Sequence, residues 1–189
     1  MKNLEAFLVT WVTYNSRVFE RMIRFGVRRG KPIILTSQDE IEITKLVKNM
    51  VIDQQIKILA YNICRDHIHL ILVCEESELG EIVRRFKGKT SYLFNKSETS
   101  GFNPLYRDNK KIVSRTRKQA PLSQVRSRGK TQAKLWAQKF NRVLLDGNDS
   151  LSNAIDYVER NREKHGLPLN NGLKPVVSEF ILSEEDAFS

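Results

Sequence analysis

The stretch Arg65-Asp66-His67-Ile68-His69-Leu70-Ile71-Leu72-Val73 constrains this chain more than any other, because it reads as a buried strand carrying two histidines. Only three histidines occur in the 189 residues. Side chains alternate faces along a strand, so His67 and His69 share one face with Ile71 and Val73, while Ile68, Leu70 and Leu72 share the other. Two imidazoles about 6 to 7 Å apart on one strand face can hold one divalent ion between them, with a third ligand supplied from elsewhere. The plainer alternative is two half-buried histidines, each hydrogen-bonded to a carbonyl, with no metal. The cysteines suggest a competing zinc site. Cys74, however, shares the face of Leu70 and Leu72 and meets the histidines only if the strand bulges or ends early, while Cys64 lies before the turn and is a minor candidate.

A chain of this length with 40 % hydrophobic residues is long enough for one domain with a real core and short for two. Two cysteines make no disulfide framework, which fits a reducing, cytoplasmic setting. The N-terminal run Ala6 to Val12 is apolar, but it follows Glu5, favours strand and precedes no small-residue cleavage site, so it reads as a strand rather than a leader. No apolar run approaches the roughly 20 residues that span a bilayer, and no membrane partner is expected.

The net charge of +10 is unevenly placed. Between Arg107 and Lys134 a run of basic residues that includes Arg115, Arg117, Lys118, Arg126, Arg128 and Lys130 is opposed only by Asp108. Such a block implies a polyanion, with nucleic acid favoured over membrane because no amphipathic apolar face accompanies it; the plain alternative is a solvated loop.

Periodicity supplies the order of elements. Leu4 to Tyr14 is a first strand; a helix follows from a capping box of Ser37 with Glu40, its core face made by Ile43, Leu46, Val47, Met50 and Val51. Ile56 to Ile63 and His67 to Cys74 form a hairpin. Ser77 caps a helix with a stripe of Leu79, Ile82, Val83, Phe86, Thr90 and Leu93 and a basic face of Arg84, Arg85, Lys87 and Lys89. From Ser97 to about Gln132 no period survives, which marks a long loop insertion. Phe140 to Leu145 reads as a strand ending in the turn Asp146-Gly147-Asn148, and Asp149 or Ser150 caps a last helix that stops at Gly166. The domain is expected over 1–168, with the basic insertion at 97–134 and a C-terminal tail at 169–189. On the last helix Tyr157, Asn161 and His165 follow at i, i+4 and i+8, neighbours on one face. Each has a plain alternative: a tyrosine at the edge of an apolar stripe, and a histidine complementing the helix dipole.

The His67-Ile-His69 run, the helix with Arg84-Arg85-Phe86-Lys87-Gly88-Lys89 and the segment Tyr157-Val158-Glu159-Arg160-Asn161 together resemble the HUH-type single-tyrosine transposases of the insertion-sequence-200-like kind. Leu135-Trp136, then Phe140 to Asp146, then the tyrosine helix ending at Gly166-Leu167, resembles their REP-associated branch most closely. The resemblance implies an α+β fold, a ferredoxin-like antiparallel sheet with packed helices, here with a long basic loop insertion. It implies nicking and transfer of single-stranded DNA, bound as a hairpin, through a 5′-phosphotyrosine link. Carried over to this chain, Tyr157 is the nucleophile, and His67, His69 and Asn161 hold Mg²⁺ or Mn²⁺, with His165 as an alternative ligand. Many relatives have glutamine where this chain has Asn161. Arg84, Arg85, Lys87 and Lys89 and the insertion's Arg115, Arg117, Lys118, Arg126, Arg128 and Lys130 are the expected DNA contacts. A catalytically silent nucleic-acid-binding module and a metal-dependent nuclease using water are the competing readings. The residues leave open whether the site lies within one chain or is shared in a homodimer.

Overall fold

The structure is a computed structural model and describes residues 3–17, 20–26, 30–97 and 134–189. Its centre is the His-x-His strand, which pairs on both sides. β1 (Glu5–Val12), β2 (Lys57–Cys64), β3 (His67–Cys74) and β4 (Asn141–Leu145) form one sheet in the order β2-β3-β1-β4. Every neighbouring pair is antiparallel. Two helices make the long crossovers: α2 (Ser37–Gln54) joins β1 to β2, and α3 (Glu76–Ser97) leads from β3 towards β4. This interleaving of two strand-helix-strand units gives the ferredoxin-like α+β sheet that the resemblance implies. A short α1 (Glu20–Arg24) lies in the first crossover.

The alternation read from the sequence holds and divides the core into two layers. Ile68, Leu70, Leu72 and Cys74 of β3, with Phe7, Val9 and Trp11 of β1, pack against Ile43, Val47 and Met50 of α2 and Leu79, Val83 and Phe86 of α3. Ile71 and Val73 face the other way, with Ala6, Leu59 and Ala60. That second face is covered by α4 (Asn148–Glu159), through Leu151, Ala154 and Val158. Two short helices, α6 (Leu173–Val177) and α7 (Glu184–Phe188), finish the chain. Leu173 and Phe180 enter the first layer and Ala187 the second, and Leu182 N–H donates to Ile58 O at 2.9 Å, so residues 169–189 pack onto the sheet.

Helix boundaries depart from the expectations in four places. The capping box of α2 is Thr36 with Asp39, one residue before Ser37 and Glu40. Glu40 is unavailable for capping because its buried carboxylate accepts from Arg162 at 2.8 Å. Ser77 does not cap α3, which begins at Glu76; acidic Glu76 and Glu78 in its first turn suit the helix dipole instead. α4 starts at Asn148, not after Asp149 or Ser150, and its N-cap Gly147 has φ 81°, a backbone that favours glycine. The last helix also fails to run unbroken to Gly166: a turn at Arg160 separates α4 from the four-residue α5 (Asn161–Lys164). No membrane-crossing helix occurs among the described residues. Most of the basic insertion, with Arg115, Arg117, Lys118, Arg126, Arg128 and Lys130, lies outside them.

Phe86 is fully buried between sheet and helix and stacks at 6.4 Å on Trp11, whereas Val143 on edge strand β4 is half exposed. In equilibrium urea denaturation, Phe86→Ala is expected to destabilise by about 3–5 kcal/mol. Val143→Ala should change stability by no more than about 0.5 kcal/mol.

Candidate active site

His67 and His69 stand on the sheet face that α4 covers, and the helix brings its polar edge to them. The two imidazole rings meet edge to face with centroids 4.9 Å apart. Tyr157 lies against His69 with centroids 5.3 Å apart, and His165 lies 4.9 Å from His67 on the same measure. Asn161 Oδ1 is 2.9 Å from His67 Nε2. The five polar residues that the sequence singles out on strand and helix thus meet at one place, within one chain.

Each histidine is oriented by its outer nitrogen. His67 Nδ1 is 2.6 Å from the Asp66 carboxylate, and His69 Nδ1 is 2.6 Å from Thr10 Oγ1. The Nε2 atoms are therefore the ones left for the site, and a carboxylate behind a histidine is the arrangement that fixes ring orientation and raises ligand basicity in metal centres. Asn161 is held from the next residue: Arg162 is buried and donates to the Glu40 carboxylate at 2.8 Å and to Ile63 O at 2.8 Å. Its guanidinium also donates to Pro168 O, closing the turn after Gly166.

Sequence reasoning missed four members of this surround: Thr10, Asp66, Asn62 and, except as a minor zinc candidate, Cys64. Pairing aligns Thr10 and Asn62 with His69, and Cys64 with His67, so strands β1 and β2 contribute to the same face. Cys64 Sγ donates to Asn161 Oδ1 at 3.4 Å. Asn62 Nδ2 donates to Val158 O and Glu159 O at the end of α4. Asp66 was legible as the neighbour of His67; the others depend on strand register, which includes a bulge between Ile58 and Ala60. Cys74 faces the opposite layer, as its parity required.

The donor set fits a divalent cation. His67 Nε2 and Asn161 Oδ1 point at each other, and an amide oxygen and an imidazole nitrogen share such a space only with a proton or another cation between or beside them. Among the described residues Asn161 Nδ2 has no hydrogen-bond partner, whereas its Oδ1 accepts from Cys64 Sγ and faces His67 Nε2. Among the described residues no three His, Cys, Asp or Glu side chains come together to hold a metal, while the Asn161 amide oxygen and the His165 ring both lie beside His67. Lys164 adds positive charge, its Nζ lying 4.3 Å from the centre of the Tyr157 ring.

The expected DNA-contacting cations of α3 stand apart from this cluster, since α3 packs on the other face of the sheet. Arg84 forms a bidentate pair with Glu81 at 2.7 and 2.6 Å, and Arg85 approaches the same carboxylate at 4.0 Å. Lys87 Nζ donates to Gln138 O at 2.7 Å, while Lys89 is exposed. Lys87 borders a cleft of about 610 Å³ that Tyr92 and Phe140 also line.

The histidines titrate in opposite directions. Burial pulls His67 down, but hydrogen bonds to Asp66, Cys64 and Asn161 outweigh it and lift the pKa to about 9. Burial, reinforced by the positive charges of His67, His165 and Arg17, lowers His69 to about 4. The hydrogen bond from His67 holds the Asp66 carboxyl below its ordinary range. In metal-free protein the raised His67 value stabilises the fold fully below about 6.5, and this contribution is lost as pH rises through about 9. Imidazole resonances followed by NMR should show His67 losing its proton near pH 9 and His69 still neutral at pH 6, and Asp66→Asn should bring the His67 midpoint down. A His67 midpoint near 6.5 that ignores Asp66→Asn contradicts this electrostatic arrangement.

Comparison with known proteins supports the fold. Residues 22–109 match the family of IS200-like transposases, a span that contains His67, His69 and the basic face of α3 and ends before Tyr157. Among solved structures, the chain is similar to a REP-associated tyrosine transposase bound to a REP hairpin, with TM-score 0.50 and 14 % identity, covering 89 % of this chain and 72 % of that one. A search of the curated proteins finds no match. Residues 22–109 are thus similar to the IS200-like transposases, and the chain has the fold of a REP-associated tyrosine transposase.

Proposed function

We propose that the chain nicks and rejoins single-stranded DNA, with Tyr157 as nucleophile and His67, His69 and Asn161 as the ligands of Mg²⁺ or Mn²⁺. The observation that carries this reading is the meeting, in one chain, of the Tyr157 ring with His69 and of Asn161 Oδ1 with His67 Nε2. A hairpin-bearing single strand is the proposed partner, in keeping with the hairpin held by the similar REP-associated transposase.

The residues divide the work as follows. Tyr157 is only partly buried, so its hydroxyl can reach a phosphodiester. Its oxygen attacks phosphorus, the bond from phosphorus to the 3′-side oxygen breaks, and the phenolic proton is lost as the departing oxygen becomes a 3′-hydroxyl. The 5′-phosphotyrosine that remains keeps the phosphodiester energy for rejoining. A bound divalent ion supplies charge neutralisation at the phosphate, and Mn²⁺ suits two imidazole nitrogens better than Mg²⁺ does. His69, kept neutral, offers a lone pair, and Asp66 orients His67 and strengthens its basicity. Lys164 beside the Tyr157 ring places a cation where the phosphate arrives. The exposed cations of α3, Arg84, Arg85 and Lys89, then contact phosphates away from the cut, adding affinity without sequence preference.

The reading is tested by incubating the protein with labelled hairpin-bearing single-stranded DNA from the flanks of its own gene, with Mn²⁺ or Mg²⁺, and resolving the products under denaturing conditions. A labelled protein band is expected. It should vanish in Tyr157→Phe and in the His67→Ala/His69→Ala double variant, and Asp66→Asn should weaken metal affinity about 10- to 100-fold. Cleavage that persists in Tyr157→Phe would mean hydrolysis by water instead. Binding with no cleavage in either metal would mean a silent DNA-binding module.

A further inference from the structure

Asn62 is a buried polar residue in β2, 8 % exposed, in a strand whose other buried side chains are mostly apolar. A buried amide is tolerated where its hydrogens find acceptors, and both hydrogens of Asn62 Nδ2 go to one place. They reach Val158 O at 2.8 Å and Glu159 O at 3.1 Å, two successive carbonyls at the end of α4. Those carbonyls immediately precede the turn at Arg160, where the tyrosine helix is interrupted between Tyr157 and Asn161. No proline or glycine occupies residues 157–165, so local sequence does not explain the interruption there.

The register shows what this contact controls. Thr10, His69 and Asn62 form one row across three strands, on the face that carries the site. Thr10 orients the His69 imidazole, and Asn62, on its other side, takes hold of the helix whose Tyr157 ring rests on that imidazole. Two residues on, Cys64 reaches Asn161 Oδ1. The strand that flanks the histidines therefore grips the helix on either side of its interruption.

We propose that Asn62 is the positioning residue of this site: its two hydrogen bonds fix the end of the tyrosine helix so that Tyr157 and Asn161 face the histidine pair together. The catalytic half of this role rests on the phosphotyrosine reading above; the structural half does not. In this role Asn62 acts through the end of α4 rather than on DNA or metal. Alanine at this position leaves two carbonyls without their donor, aspartate turns a donor into an acceptor facing two carbonyls, and serine keeps one donor.

The test uses the full chain with Asn62→Ala, Asn62→Asp and Asn62→Ser. Amide hydrogen exchange over residues 158–162 is measured without DNA; the single-turnover rate of adduct formation and the dissociation constant for the hairpin strand are measured with Mn²⁺. In the alanine and aspartate variants, exchange over 158–162 should quicken while β1 and β3 stay protected. Adduct formation should slow by about 10- to 100-fold, the scale expected when a reacting group is misplaced by about 1 Å. Hairpin affinity should stay within about twofold, since no DNA contact is lost, and serine should fall between wild type and alanine. Unchanged exchange over 158–162 overturns the proposal, as does an unchanged adduct rate in a variant whose helix end has opened. If alanine and aspartate lose protection throughout the sheet, the serine variant decides by the same two readouts. Should wild type form no adduct, the phosphotyrosine reading fails separately, and the exchange pattern alone decides whether Asn62 holds the helix.

Discussion

Pairing of β3 between β1 and β2 determines which side chains can meet the tyrosine helix. A strand has a period of two, so a slip of one residue would turn His67 and His69 into the α2–α3 layer and bring Ile68 and Leu70 up to α4. The register is held by both layers at once: Ile68, Leu70 and Leu72 fill the first, and Ile71 and Val73 the second. Burying apolar area on both faces stabilises the sheet, at about 25 cal/mol per Å² removed from water, and it also fixes the direction in which the histidines point. Fold stability and site geometry thus have the same origin.

The second constraint is electrostatic. A buried imidazole is tolerated in its neutral form or beside a counter-charge, and the site uses both solutions. His69 is held neutral by burial and by the cations around it, while His67 is held by the Asp66 carboxylate. Glu40 and Arg162 solve the same problem a few residues away, where a buried ion pair ties α2 to the segment that begins with Asn161. Breaking such a pair from one side is costly, because the remaining charge stays buried without a partner. That cost makes the pair a firm anchor for Asn161, one position away. Asn62 complements it from β2 by taking the carbonyls before the interruption.

How much of this was legible in the sequence follows from the range of each interaction. The His-x-His face and the Tyr157-Asn161-His165 row depend on local periods of 2 and 3.6, and both hold well enough to bring the five residues together. The capping box of α2 was misplaced by one residue because Ser37 with Glu40 and Thr36 with Asp39 both satisfy the local pattern; Arg162, distant in sequence, removes Glu40 from the choice. The turn at Arg160 had no local signal, since the contact from Asn62 that accompanies it crosses 96 residues. Cys64 ranks only as a minor zinc candidate because it lies before the turn, and Asn62 gives no local signal because the bulge between Ile58 and Ala60 resets the alternation of β2, so the face of a residue there follows from pairing and not from counting. The basic face of α3 is exposed at Arg84, Arg85 and Lys89, yet its position on the far face from the histidines depends on which layer the helix joins.

The proposed divalent-metal site beside Tyr157 is tested by crystallography of the full chain with Mn²⁺, with data collected for anomalous scattering by manganese. A manganese peak ligated by His67, His69 and Asn161, lost in His67→Ala, is expected. A peak ligated by His165 in place of Asn161, or no peak at the histidine pair at a Mn²⁺ concentration that supports DNA cleavage, would contradict it.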